Sequence, residues 1–342
     1  MSAPTASAEA TSVWFPHARR VELRRELLPP VGAHDVRVQA LVSALSHGTE
    51  MLVYRGQVPP EVELDLPTLD GSFGFPIKYG YASVGRVVEV GAEVSELAVN
   101  DLVFTLHPHQ SAYVVPAHLP IRLPSETEPE HGVFVANLET AVNVTLDAAP
   151  RLGERVVVFG QGVVGLLVGQ LLRRAGARRV IVADPFQRRR ALAQRLGVDT
   201  ALEPTPDVPA RIRDLTGGVG ADLAVEASGN GAALAQAIDS LAFGGTVVVC
   251  SWYGTKPVLV PLGGAFHRRR LRLVSSQVGT IDAVLQPRWT RARRLELALS
   301  LLRKLDLGQL VSHRFPVAQA AAAYRLVDEH PEQTVQVMLT YP

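Results

Sequence analysis

The amino-acid sequence predicts an α/β protein, in which a doubly wound parallel sheet is joined to a compact, mostly β unit. Two textures of the chain support this prediction. Over residues 12–123, short β-branched runs are separated by Gly, Pro, Asn and Asp, which is typical of short strands joined by turns. From about residue 141, strand-length apolar runs alternate with helix-length segments, which is the pattern of a parallel sheet covered by helices.

Each predicted element has a local reason. An apolar run at residues 155–159 predicts a buried strand, and the helix that follows over residues 163–175 should stop at Gly176, which readily takes a left-handed conformation. In the first part, β-branched runs predict strands at residues 36–42, 84–90, 102–106 and 113–115. The remaining predictions are strands at 179–183, 222–226, 246–250 and 334–339, and helices at 185–196, 209–215, 231–241, 290–304 and 318–329.

Composition excludes several classes of protein. The 342 residues include 34 Lys and Arg against 33 Asp and Glu, so a net charge of +1 gives no reason to expect nucleic acid or an anionic membrane as partner. The single cysteine, Cys250, excludes an internal disulfide and a four-cysteine zinc site, and it fits a cytoplasmic setting. The longest uncharged run, residues 156–172, is too short to cross a bilayer. Residues 1–10 resemble no secretory signal and are predicted to be a loose end.

The sharpest motif is a G-x-G-x-x-G sequence between the predicted strand at 155–159 and the helix after it. Such glycines permit a tight turn, let the backbone approach a pyrophosphate, and allow close packing of helix on strand. The glycines alone would also fit a plain strand-to-helix turn, but the strand and helix around them favour a dinucleotide site. The predicted cofactor-binding residues here are Gly160, Gln161, Gly162, Val163, Val164 and Gly165.

An acidic residue at the end of the second predicted strand indicates which dinucleotide is bound. Asp184 stands where a carboxylate accepts hydrogen bonds from the adenosine ribose, and its charge repels a 2′-phosphate, so NAD is favoured over NADP. Against this, Arg188, Arg189 and Arg190 follow directly and could reach such a phosphate. The alternative is that these arginines form a solvated helix face.

Two further stretches carry a resemblance to a known family. Gly80-Tyr-Ala-Ser-Val-Gly85-Arg-Val-Val-Glu-Val-Gly91 is similar to G-H-E-x-x-G-x-V-x-x-V-G, and Asn100-Asp-Leu-Val-Phe104 is similar to G-D-x-V. With the glycine motif, they make the chain resemble the medium-chain dehydrogenase/reductase superfamily over nearly its whole length. Residues 46–50, 250–254 and 266–277 most resemble a bacterial branch that includes a bacteriochlorophyllide dehydrogenase, without implying its substrate.

The resemblance implies an architecture and a class of activity. It implies a GroES-like domain (residues 1–139 and 279–342) packed on a Rossmann domain (residues 140–278), with the active site in the cleft between them. The implied activity is NAD(P)-dependent hydride transfer to or from a small-molecule substrate, and relatives are commonly homodimers. Five cofactor contacts are expected in addition to those of the glycine motif, at the ends of later strands, where the nicotinamide would lie: Ala227, Ser228, Ser251, Trp252 and Tyr253.

Departures from the family pattern predict that the protein works without zinc. Zinc-dependent members carry C-G-[ST]-D, where this chain has His47-Gly-Thr-Glu50, and the His of their G-H-E is replaced by Tyr81. Glu139 matches a third ligand of polyol-type members. Because a catalytic zinc needs three protein ligands, these replacements predict a metal-free site. His107 and His109 leave a non-standard histidine site open.

Without zinc, the substrate oxygen still needs a proton donor and a polarising group. Tyr81 is a candidate donor, or its ring fills the volume left by the metal. Thr49 begins a proton relay or caps the helix near Glu50. His47 ends the relay as an acid/base, or is a hydrogen-bonded loop histidine. Glu139 acts chemically or anchors an Arg or His.

Other positions leave two interpretations open. His107 and His109 line the cleft or lie on surface loops. The basic run at residues 268–272 binds an acidic group, or is a solvated feature before a strand. The favoured activity is zinc-independent interconversion of a secondary alcohol and a ketone. The alternatives are an NADPH-dependent quinone or enone reductase, and a catalytically inactive nucleotide-binding sensor.

Overall fold

A computed structural model describes residues 9–64, 66–69 and 71–342 of the chain. It divides the chain into two compact units, unit 1 with residues 1–136 and 302–342, and unit 2 with residues 137–301. The sequence prediction placed the second boundary earlier, at 278/279. The difference arises because Arg294 hydrogen-bonds to Glu139 and Asn143, which assigns its helix to unit 2.

The strands and helices are numbered in chain order. The strands are β1 (Glu9–Trp14), β2 (Glu22–Leu27), β3 (Asp35–Ala44), β4 (Ser83–Val90), β5 (Leu102–Thr105), β6 (Ala112–Pro116), β7 (Ile121–Arg122), β8 (Arg155–Phe159), β9 (Arg179–Ala183), β10 (Thr200–Leu202), β11 (Ala221–Glu226), β12 (Leu241–Val249), β13 (Arg272–Ser275), β14 (Val311–Pro316) and β15 (Gln336–Thr340). The α-helices are α1 (Thr49–Tyr54), α2 (Pro129–Gly132), α3 (Val135–Ala148), α4 (Val163–Arg174), α5 (Gln187–Arg195), α6 (Val208–Leu215), α7 (Gly231–Ser240), α8 (Arg291–Leu301) and α9 (Ala320–Glu329). Short 3₁₀ or π turns lie at Leu262–Phe266, Gly308–Leu310, Val317–Gln319 and Pro331–Gln333.

Unit 1 is built on a seven-stranded sheet with the order β14-β15-β3-β4-β5-β7, in which β6 also pairs with β3. Alternate side chains of β3 are buried, as expected for a strand with one face on a core. A separate hairpin, β1-β2, corrects one prediction, because β1 includes Ala10 of the predicted loose end. Ala10 packs with Leu28 and Ala112, which explains its burial. Residues 1–8 of that prediction lie outside the described residues.

Unit 2 confirms the predicted doubly wound parallel sheet, with the order β10-β9-β8-β11-β12-β13. The chain runs outward from β8 to β10 and returns to place β11 on the other side of β8. Strand β8 is buried on both faces, which accounts for its continuous run of valines. The carboxyl ends of β8 and β11 therefore meet at the switch point, where such sheets bind their ligands.

Two regions of unit 2 differ from the sequence predictions. Strand β12 begins at Leu241, five residues before the predicted start, because Gly244 and Gly245 did not end the strand as turn residues would. The basic run ends in an edge strand, β13, and Arg269 donates to the carbonyls of Asp239 and Leu241. No helix in the described part of the chain is long and apolar enough to span a membrane.

Candidate active site

The turn after β8 needs glycine at two positions for steric reasons. Gly160 has a φ of +91°, and a Cβ there would lie 2.7 Å from the backbone nitrogen of Ser228. A Cβ on Gly165 would lie 1.9 Å from the carbonyl oxygen of Gly160, so only glycine allows α4 to pack this closely on the turn. Both roles are those that the sequence motif predicts.

The first turn of α4 has the properties of an anion site. Gly162 is the N-cap residue, it makes no side-chain capping bond, and a Cβ there would meet nothing within 4 Å. The backbone N–H groups of the first turn, including those of Val163 and Val164, have no partner within the helix. Their partial positive charge favours a phosphate group. The first turn of α4 therefore has the geometry that a pyrophosphate site needs.

Asp184 follows β9 and is joined to the glycine turn. Its carboxylate accepts hydrogen bonds from the backbone nitrogens of Gln161 at 2.7 Å and of Phe186 at 2.8 Å. Each carboxylate oxygen has a second lone pair, so the group keeps acceptor capacity for ribose hydroxyls. Burial raises the pKa of Asp184, and the nearby Arg189 guanidinium opposes this shift.

The three arginines after Asp184 differ in their surroundings. Arg190 donates to the carbonyls of Asp184 and Pro185, at 2.7 and 2.8 Å, so it holds the loop in place. The Arg189 guanidinium lies 4.8 Å from the ring centre of Phe186. Arg188 is exposed, and it alone matches the description of a solvated face.

Sequence reasoning missed Glu226, the last residue of β11. Its side chain is fully buried. One oxygen accepts from the backbone nitrogen and the hydroxyl of Ser228, both at 2.6 Å, and from the nitrogen of Gly229 at 2.9 Å, while the other accepts from the Tyr253 hydroxyl at 2.9 Å. A charged residue directly after the apolar run Leu223–Val225, at the carboxyl end of the strand, was the signal that could have identified it.

The loops after β11 and β12 are joined by further bonds. The Ser251 hydroxyl accepts from the nitrogen of Gly229 at 2.9 Å, and Cys250 donates both its nitrogen and its thiol to the carbonyl of Glu226. Burial raises the pKa of the Cys250 thiol, so it stays protonated. Ala227, Ser228, Ser251 and Tyr253 thus lie together in unit 2, beside Trp252, which is 40% exposed.

In unit 1, the hydroxyl groups of Tyr81, Ser46 and Thr49 form a cluster. The half-buried phenol donates to the hydroxyl of Ser46. Burial raises the pKa of Tyr81 to about 12, with a further contribution from the charge of Glu50, while hydrogen bonds with Ser46 and Thr49 oppose the shift. Thr49 is the first residue of α1 and Gly48 is its N-cap, so the capping alternative for Thr49 is wrong. His47 is half-buried in the turn before α1, and its relay role stays a prediction.

Behind this cluster lies a buried network that the sequence did not reveal. Glu50 accepts from the Ser46 backbone nitrogen at 2.9 Å, from Nε2 of His109 at 2.8 Å, and from the hydroxyl of Tyr324. The other ring nitrogen of His109 is 2.6 Å from the hydroxyl of Ser43. Glu50 and His109 are both fully buried, so this pair fixes the main chain that carries Ser46.

His107 and His109 are both buried, so the surface alternative is wrong for each. The His107 ring stacks on Tyr113 with ring centres 3.8 Å apart, and its Nδ1 lies 2.9 Å from the carbonyl of Pro108. Burial lowers the pKa of His107 to about 3, which keeps the ring neutral. This histidine therefore serves the core of unit 1.

Glu139 lies in unit 2 on α3 and has a cationic partner. One of its oxygens is 3.2 Å from Nε of Arg294, and the same guanidinium donates to Asn143 at 2.7 Å. Arg294 is almost fully buried, so Glu139 compensates its charge. This arrangement corresponds to the anchoring alternative.

Comparisons with known proteins agree with the fold. Residues 163–295 match the family model described as zinc-binding dehydrogenase. The chain is 30% identical over 327 residues to D-guloside 3-dehydrogenase of Escherichia coli K12, covering 90% of this chain and 93% of the relative. The fold superimposes on 2R,3R-butanediol dehydrogenase from Bacillus subtilis with a TM-score of 0.80, at 21% identity, over 97% of this chain and 99% of that one.

A second solved structure, an alcohol dehydrogenase from E. coli CFT073 complexed with NADH, gives a TM-score of 0.79 at 19% identity, over 97% and 99% of the two chains. The glycine turn, the doubly wound sheet and these likenesses together define the class. The chain belongs to the medium-chain dehydrogenase/reductase superfamily, and it is an oxidoreductase of the alcohol-dehydrogenase type.

Proposed function

We propose that the protein is an NAD-dependent dehydrogenase that interconverts a secondary alcohol and a ketone on a sugar or polyol, without a catalytic zinc ion. The observation that carries the proposal is Tyr81, a phenol at a zinc-ligand position, hydrogen-bonded within a cluster of hydroxyl groups. The relatives support the substrate class, since they are named for a guloside and a butanediol.

The donor chemistry does not fit the zinc ion that the family name implies. The positions that correspond to its ligands carry His47, Tyr81 and Glu139. A pKa of about 12 keeps the Tyr81 phenol protonated, and a protonated phenol donating to Ser46 is a poor metal ligand. The carboxylate of Glu139 already compensates Arg294. Among the residues that the structure describes, no three His, Cys, Asp or Glu side chains are grouped to hold a metal ion.

The residues of unit 2 fit a nicotinamide dinucleotide. The open position at Gly162 and the unpaired amides of α4 suit the pyrophosphate, and Asp184 suits the adenosine ribose. The Asp184 carboxylate disfavours a 2′-phosphate, which is why we propose NAD over NADP. When bound, this cofactor supplies the acceptor or donor of hydride.

The hydroxyl cluster of unit 1 then handles the proton. In ketone reduction, Tyr81 donates its proton to the developing alkoxide, which is a stronger base than a phenolate. Alcohol oxidation runs the same transfer in reverse: the Tyr81 phenolate takes the proton of the alcohol as hydride leaves, and the phenol then releases that proton to bulk water. Glu50 keeps Ser46 in place through its backbone nitrogen.

The test is a survey of substrates with both cofactors. Sugars and polyols with secondary hydroxyls should reduce NAD with kcat/KM at least about tenfold above that with NADP. Asp184→Ala should weaken NAD binding much more than NADP binding, since the substitution removes the ribose acceptor. Turnover of quinones or enones with NADPH alone would establish a reductase instead. Tight NAD binding without turnover of any substrate would establish a sensor.

A further inference from the structure

The carboxylate of Glu226 lies between the loops that follow β11 and β12. We infer that Glu226 places a buried negative charge at the nicotinamide half of the cofactor site and thereby favours the oxidised, positively charged cofactor over the reduced one. The inference rests on the proposed function only in requiring that a nicotinamide dinucleotide binds. It makes Glu226 a determinant of which redox state of the cofactor the protein binds more tightly.

The hydrogen bonds of Glu226 indicate that it is ionised. All four of its contacts are with donors, namely two backbone N–H groups and the hydroxyls of Ser228 and Tyr253. Two of these donors are backbone N–H groups, which can only donate, and charge-assisted bonds of this kind favour the carboxylate form. Burial, and then the charge of Glu226, raise the pKa of Tyr253.

The hydrogen-bond partners described for Glu226 are neutral groups. Asp184 differs, because the Arg189 guanidinium opposes the effect of its burial. The field of a charge buried among neutral donors is screened less than that of a charge in water.

The position of Glu226 in the sheet assigns that field to one half of the cofactor. The pyrophosphate turn follows β8 and the ribose acceptor follows β9, so the adenosine half lies over the first strands. The nicotinamide half must therefore lie over the ends of β11 and β12. Glu226 ends β11 opposite Phe159 of β8 and Val249 of β12, and the Ser228 that it holds lies against Gly160.

The physical consequence follows from the cofactor's own chemistry. The nicotinamide ring carries a positive charge when oxidised and none when reduced, while the rest of the molecule is unchanged. A fixed negative charge therefore stabilises one form and leaves the other nearly unaffected. A purely structural role for Glu226, by contrast, would change the binding of both forms together.

The experiment measures dissociation constants of NAD⁺ and NADH by titration calorimetry for the wild type, Glu226→Gln and Glu226→Asp. We expect Glu226→Gln to weaken NAD⁺ binding about tenfold while NADH binding changes by less than about threefold. Glu226→Asp keeps the charge and should keep the wild-type ratio of the two constants. Tyr253→Phe removes one donor but no charge, so it should also keep this ratio.

An unchanged ratio in a Gln variant that binds both forms would overturn the inference and leave the proposed function standing. Failure of the wild type to bind either form would overturn the proposed function itself. If the Gln variant does not fold, the wild type can be titrated with an uncharged analogue of NAD⁺ in which benzamide replaces nicotinamide. This analogue should bind about tenfold more weakly than NAD⁺, and equal or tighter binding would contradict the inference.

Discussion

Two carboxylates are fully buried, Glu226 in unit 2 and Glu50 in unit 1, and they differ in the partners that stabilise them. Glu226 accepts from neutral donors at most 27 residues away in the chain. Glu50 accepts from His109 and Tyr324, which are 59 and 274 residues away. The hydrogen bonds of Glu226 order two neighbouring loops, and we infer that its charge acts on the bound cofactor. The hydrogen bonds of Glu50 join distant segments of the chain, so its charge stabilises the fold of unit 1.

The largest expected effect comes from breaking the long-range pair. His109→Ala leaves Glu50 buried without its imidazole partner, and we expect a loss of about 3–5 kcal/mol in the free energy of unfolding. Glu226→Gln, which replaces the carboxylate by an amide of nearly the same shape, should cost about 1–3 kcal/mol. Denaturant unfolding of both variants tests the comparison. Equal losses would mean that the two carboxylates are stabilised in the same way.

Steric tests on the glycine turn come next. Gly165→Ala forces a Cβ against the backbone oxygen of Gly160, which should destabilise unit 2 by about 3 kcal/mol. Gly162→Ala is the matched control, because its Cβ meets nothing, so this variant should keep its stability and lose affinity for NADH. Thermal unfolding and NADH titration separate the two results. Unchanged NADH binding in Gly162→Ala would remove the phosphates from this turn.

These two regions show why the nucleotide site could be predicted and the rest could not. Gly160, Gly165 and Asp184 lie close in sequence, and steric limits on the backbone dictate the glycines, so a pattern suffices to identify them. Glu50 of α1 meets His109, in the loop between β5 and β6, and Tyr324 of α9 only through the fold, and no spacing in the sequence encodes that contact.

The histidine stretch shows the same limit at short range. His107 and His109 are two residues apart, yet one stacks on Tyr113 and the other pairs with Glu50. Composition indicated neither environment. The hairpin β1-β2 was not predicted, because its many charged and polar residues obscure the apolar pattern to which the buried Ala10 and Val13 belong.

A smaller effect should follow from the acid/base cluster. Tyr81→Phe removes the proton donor but keeps the ring, so we expect kcat to fall about 10²-fold with little change in stability. Ser46→Ala should lower kcat less, since the phenol itself remains. Steady-state kinetics on an identified substrate provide the measurement. If kcat is unchanged in Tyr81→Phe, the ring only fills volume and Tyr81 is not the proton donor.

The smallest effect concerns pH. Burial lowers the pKa of His107 from its ordinary value near 6.5 to about 3. As the pH falls, His107 is therefore protonated in the unfolded chain before it is protonated in the folded protein. The stability it contributes is present above pH ~6.5 and is lost below it, by about 2 kcal/mol between pH 7 and pH 5. His107→Gln should lose this share of the pH dependence. Identical pH profiles of unfolding for both proteins would show that His107 is not buried neutral.

The most direct test of a zinc-independent mechanism is NAD-linked alcohol oxidation by protein that has been treated with a strong chelator and analysed for metal. With the hydroxyl cluster of Tyr81 handling the proton, activity should persist with less than about one-tenth equivalent of zinc per chain. Loss of activity on chelation that zinc alone restores, with one equivalent bound, would contradict the account.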